Sequence, residues 1–150
     1  MKKVFLFFAT VAFSTLNLFS QPITNHQSLI TIKDVWARPG AKNANSALYF
    51  VVQNNGSKAD TILGAKSKYA EIVEVHESFK RDNDRIGMRQ VKFVAMAPNS
   101  KLEFKPGGFH VMLINLFKDV KAGTSLDATI NFKFAGKIKV KAVVRDMPGM

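Results

Sequence analysis

From residue 29 to residue 144 apolar and polar positions alternate in short runs separated by turn-forming residues, the pattern of half-buried strands. The runs cover 30–37, ended by Arg38-Pro39-Gly40; 47–53, ended by Asn54-Asn55-Gly56; 61–65; 72–77; and, after a polar stretch over 78–84, 86–94. A short run over 101–104 leads into Lys105-Pro106-Gly107-Gly108. Residues 109–116 are nearly all apolar and predict a central strand, while 125–134 and 137–144 predict a hairpin about Ala135-Gly136. No stretch carries sustained helical periodicity. About nine strands at this spacing predict an all-β fold, an antiparallel β-sandwich or Greek-key barrel, in one domain without repeats.

The N-terminus follows a different rule. Lys2 and Lys3 precede an apolar run over 4–13 and a more polar 14–20, which predicts a secretory signal peptide over 1–20, cleaved after Ser20. An uncleaved anchor would want about 20 predominantly apolar residues, and Ser14, Thr15 and Asn17 interrupt this run. No cysteine follows to carry a lipid. The expected organisation is signal peptide 1–20, polar leader 21–29, folded domain 30–145 and flexible tail 146–150. The expected location is periplasmic or otherwise exported, with no integral membrane segment after cleavage.

Composition adds constraints. A hydrophobic share of 47% with 22% charged residues suits a packed core and argues against disorder. Losing Lys2 and Lys3 with the signal lowers the net charge from +11 to +9. Such a balance favours anionic partners in general, but the lysines are scattered along alternating strands and form no basic helix. They predict a solvated basic face, and nucleic acid is not an expected partner. The absence of cysteine removes disulfides and thiolate ligands together. Blue-copper electron transfer, which needs a Cys thiolate, is thereby excluded. A soft-metal site in this chain has to use methionine sulfur.

Two clusters could supply it. His110 and Met112 are two apart on a predicted strand and share a face, with Val111 and Leu113 on the other. His76 and Met88 lie six residues either side of Asp82, so a hairpin centred there would make them direct cross-strand neighbours. His110 follows a Pro-Gly-Gly turn, so these residues gather toward strand ends. Thioethers and imidazoles are neutral donors that suit Cu(I), whereas Zn(II) prefers thiolate or carboxylate beside His. Met96 is expected to be structural, and Trp36 and Arg38 to serve core and rim packing. Met147, Met150 and His26 fall in the tail and the leader. No Ser-His-Asp set, paired catalytic carboxylates or phosphate-cradling loop is present, so no enzyme is predicted. Residue chemistry alone leaves two readings: a soft-metal site on a β-sandwich, or a metal-free exported β-sandwich acting as a protein-interaction module.

The spacing is more specific than its parts. His76, Glu77, ten residues, Met88, twenty-one residues, His110, Val111, Met112 resembles the motif of the PCu(A)C family of periplasmic copper chaperones. Three fixed offsets from a single His make a chance match rare. Val35-Trp36-Ala37-Arg38, Ala47-Leu48-Tyr49-Phe50 and the stretch from Lys105-Pro106-Gly107-Gly108 to Leu113 are similar to the same family, so the resemblance covers residues 30–144. Glu77 departs from it, standing where some members carry Met. The resemblance implies a cupredoxin-like β-sandwich and one Cu(I) per chain on His76, Met88, His110 and Met112. It further implies delivery of copper to the copper centre of cytochrome c oxidase or, more generally, periplasmic copper handling. The expected partner is a cytochrome c oxidase subunit or another copper chaperone, and the chain is expected to be a monomer.

Overall fold

The computed structural model describes residues 29–82 and 85–147; the predicted signal peptide, all of the leader but Leu29, and the last three residues lie outside them. Ten strands form: β1 (Ile30–Ala37), β2 (Ser46–Asn54), β3 (Asp60–Lys66), β4 (Ala70–Lys80), β5 (Ile86–Gln90), β6 (Val94–Met96), β7 (Ser100–Phe104), β8 (Phe109–Leu116), β9 (Ser125–Phe132) and β10 (Lys137–Val144). Hydrogen bonding joins them in the order β5-β4-β8-β7-β2-β1-β10-β9-β3-β6, with β8 also paired to β2. The all-β expectation holds. Most pairings are antiparallel, while β1 runs parallel to β10 and β7 meets β8 in parallel.

The sheet folds over so that its two halves share one core. Leu48, Phe50 and Val52 of β2, Val75 of β4 and Val111 and Leu113 of β8 pack in one cluster with Ile62, Leu126, Ile130 and Ala142 from the other half. Met96 is 2% exposed within that core, as its structural reading requires. Because side chains alternate across a strand, every second residue of β2, β4 and β8 faces away from this core. Those outward positions carry the candidate chemistry.

The run over 86–94 is two strands rather than one. The Val91 N–H still donates to the Val75 carbonyl at 2.9 Å, but Val94 pairs with Ile62 on β3. Residues 91–93 thus carry the chain from the β4 side of the sandwich to its opposite edge, where burial of Val94 and Met96 holds it. Apolar content continues through that crossing, so alternation alone does not reveal it.

A bulge in β1 decides where Trp36 goes. Register passes from Lys33↔Val51 to Trp36↔Tyr49, an extra residue on β1, with Asp34 in the left-handed region at φ 54°. Asp tolerates that conformation better than most residues, and an extra residue reverses the facing of everything after it. Ile30 consequently points into the core, while Trp36 emerges beside Tyr49 on the outer face, their ring centroids 4.5 Å apart.

Candidate metal centre

His76 and His110 are direct partners across the antiparallel pair β4–β8, and Glu74 is opposite Met112 in the same ladder. Direct partners have Cβ atoms about 5 Å apart; the two imidazole centroids are 5.9 Å apart at 49°. Met88 on β5 is paired with Ser78, two residues along β4 from His76 and therefore on the same face. Across β8 on the other side, Ala47 of β2 is opposite Met112. Parity thus gathers His76, Met88, His110 and Met112 on one outward face of β5, β4, β8 and β2.

The hairpin register corrects one expectation. His76 pairs with Gln90 and Met88 with Ser78, so His76 and Met88 are diagonal neighbours, not direct ones. The Arg81 N–H donates to the Arg85 carbonyl at 2.7 Å, which centres the turn one residue beyond Asp82. Displacing the centre by one residue moves the pairing by two and preserves facing, so the residues still share a face.

Each imidazole is held through one nitrogen. The His110 Nδ1–H donates to the Gly108 carbonyl at 3.0 Å. A carbonyl only accepts, so Nδ1 carries the proton and the Nε2 lone pair of the neutral ring is left free to bind. The tight turn makes this contact: the Gly108 N–H returns to the Lys105 carbonyl at 3.0 Å, with Pro106 and a Gly107 at φ 80° between them. That is a type II turn, which demands positive φ at its third residue. His76 Nε2 is 2.9 Å from the Glu74 carboxylate, itself an acceptor, so in the neutral ring Nδ1 keeps the lone pair.

Burial sets the electrostatics. His110 is 4% exposed, and loss of solvation pushes its pKa below the ordinary value; the hydrogen bond to Gly108 opposes this and the nearby His76 adds to it. The His110 ring is consequently neutral at pH 7. Burial raises the Tyr49 pKa, with Arg38 partly offsetting it, so that ring stays a neutral phenol.

A cleft of about 340 Å³ opens on this face, and Met88, His110, Met112, Tyr49, Ser78 and Met147 are among the residues lining it. Three of the four residues singled out from the sequence meet there. His76 is not among the lining residues; it is turned to Glu74 and 15% exposed at its side chain. Met88, on the edge strand, is 58% exposed. Arg38, read as rim packing, lines the cleft. Trp36 packs with Ala47, Tyr49 and Met147 in a small apolar cluster separate from the core. His26 and Met150 lie outside the described residues.

Two further residues at this face were not assigned to it from the sequence. Glu74 shares the facing of His76 two residues away, a period-two signal that alternation contains but that many strand carboxylates share. Met147 had no periodic signal, because it follows the last strand. Among the described residues no three of His, Asp or Glu are grouped to hold a metal ion. Thioether and imidazole are both among the donor types lining the cleft. Two imidazoles and two thioethers offer neutral, soft-to-borderline donation, suited to a monovalent soft cation and ill suited to hard divalent ones.

Comparison with known proteins places the family and the fold. The family model described as LpqE-like, "Putative lipoprotein LpqE-like", matches residues 30–144. The Leifsonia xyli subsp. xyli protein named "Putative lipoprotein Lxx21020" is 28% identical over 121 residues, spanning 80% of this chain and 72% of that protein. The Rickettsia prowazekii protein RP573, named as uncharacterized, is 31% identical over 104 residues, 65% of this chain and 56% of its own length. Among solved structures, the copper-bound PCuAC domain from PmoF2 is 25% identical, with TM-score 0.66 over 79% of this chain and 94% of that one. The Deinococcus radiodurans protein CuI-DR1885, 20% identical, shares the fold with TM-score 0.60 over 78% of this chain and 80% of its own. The architecture is the cupredoxin-like β-sandwich of those domains.

Proposed function

Because the chain belongs to the LpqE-like family, which is of the PCuAC type, we propose that it is an exported copper chaperone, not an enzyme. It holds one Cu(I) per chain on His76, Met88, His110 and Met112. The acceptor is the copper centre of cytochrome c oxidase or another copper chaperone. Export is supported by the signal-like N-terminus and by the lipoprotein names of its relatives. The 150 residues hold no cysteine on which a thioether-linked lipid could be built.

One observation carries the reading: a buried, neutral His110 whose Nδ1–H is committed to Gly108 keeps Nε2 unprotonated in a cleft that Met88 and Met112 also line. That arrangement serves a soft cation better than it serves core packing. The neighbours' titles support copper as that cation, since the PmoF2 domain is described as copper-bound and DR1885 as the CuI form. Four neutral donors leave the ion with its single charge, so each can leave without separating charge. Met88, exposed on the edge strand, is the donor an acceptor reaches first. Transfer then proceeds by stepwise exchange of protein donors for acceptor donors.

Anaerobic competition against a chromogenic Cu(I) chelator tests this. His110→Ala and Met112→Leu should each weaken Cu(I) binding at least tenfold while circular dichroism reports an intact β fold. Unchanged affinity in both variants would sink the assignment.

A further inference from the structure

Met147 lies beyond the last strand, yet the structure brings it to the same cleft as Met88, His110 and Met112. Its approach is fixed by the residues before it. The Arg145 N–H donates to the Ala37 carbonyl at 3.0 Å, and the Arg145 guanidinium lies 4.8 Å from the Trp36 ring centroid. Two residues later Met147 packs on Trp36, Ala47 and Tyr49. That cluster borders the candidate centre directly. Ala47 is the cross-strand partner of Met112, and the Tyr49 ring centroid is 6.3 Å from that of His110.

The apolar cluster alone would be satisfied by Leu or Val. A thioether here adds an unbranched, polarisable sulfur to a cleft lined by two others, and His76 is not among the residues lining that cleft. Three sulfurs and one imidazole nitrogen therefore belong to residues lining the open cleft, before His76 is counted.

We propose that Met147 is a fifth, exchangeable donor, a thioether ligand of the incoming and outgoing cation. It completes a set with Met88, His110 and Met112 before His76 engages, and yields as the His76 Nδ1, with Nε2 still held by Glu74, takes its place. Each exchange replaces one neutral donor by another, with no change in charge or oxidation state. The bulge that puts Trp36 on the outer face is what gives Met147 a seat, since it builds the cluster on which the tail rests. This inference rests on the copper-site reading above and extends it to the tail.

The test uses the chain with its methionine methyl groups labelled with carbon-13, titrated anaerobically with Cu(I). The Met147 resonance is assigned by its loss in Met147→Leu, a near-isosteric change that leaves folding intact. The expected result is a Met147 methyl shift that follows those of Met88 and Met112 up to one equivalent. Met147→Leu should also slow Cu(I) uptake and release severalfold in stopped-flow exchange with a chelator. Shifts at Met88 and Met112 with an unmoved Met147, and exchange rates equal to those of the unaltered chain, would overturn the role of Met147 and leave the four-residue site standing. Shifts at none of the three would overturn both.

Discussion

At His110 a single hydrogen bond to the Gly108 carbonyl selects the tautomer, and burial selects the charge state. Because the folded pKa lies below the ordinary value near 6.5, the unfolded chain takes up this proton first as pH falls. The His110 contribution to stability is full above the unfolded value and declines as pH drops through it toward the lowered folded value. Urea unfolding at pH 7.5 and 5.5 should show a smaller loss in His110→Gln than in the unaltered chain; equal losses would contradict the burial account. At His76 the carboxylate of Glu74 fixes ring orientation through Nε2 and leaves Nδ1 to bind, as outer-shell partners of metal-binding histidines do. Glu74→Gln should weaken Cu(I) binding by roughly tenfold, the low end of the range for such partners, with no loss of secondary structure. A chelator titration showing no change would remove Glu74 from the site.

At the scale of the element, turns and registers aim these side chains. Gly107 sits at φ 80° in the turn immediately before β8. Gly107→Ala should cost about 1 kcal/mol of unfolding free energy from left-handed strain, read as a lowered urea midpoint with an unchanged m-value. No destabilisation would mean that the turn is not of type II. Strand positions were legible in the alternation of 30–37, 109–116 and 137–144, because half-buried strands cannot hide their period. Pairing was less legible. Nothing local to His76 or His110 announces that β4 lies beside β8, since that contact closes over more than thirty residues. Symmetry about Asp82 found the right hairpin and missed its centre by one residue. The bulge at Asp34 was equally silent, although it alone decides which face receives Trp36.

Over the whole molecule, a shared core positions a chemically separate outer face. Val75, Val111 and Leu113 fill the interior, and His76, His110 and Met112 occupy the alternate positions of the same strands. Stability and chemistry are therefore divided by parity within β4 and β8, and the site can be altered without hollowing the core. A cargo that binds the folded chain alone stabilises it by about 2.7 kcal/mol at a hundredfold excess over Kd. For a domain of this size each kcal/mol is worth about 4 °C, so Cu(I) loading should raise the melting temperature by roughly 10 °C. An unmoved anaerobic melt would argue against a site formed by folding. Family membership was legible in the spacing of His76, Met88, His110 and Met112, because four fixed positions are rarely matched by chance. Met147 was not legible, because contact between a tail and a sheet face has no period.

X-ray absorption at the copper edge of the Cu(I)-loaded chain reads the ligand set of the bound ion itself. The expected first shell is mixed nitrogen and sulfur with at least two sulfur scatterers, one of them lost in Met112→Leu. A shell of nitrogen and oxygen alone would contradict it, as would sulfur scattering unchanged by Met112→Leu.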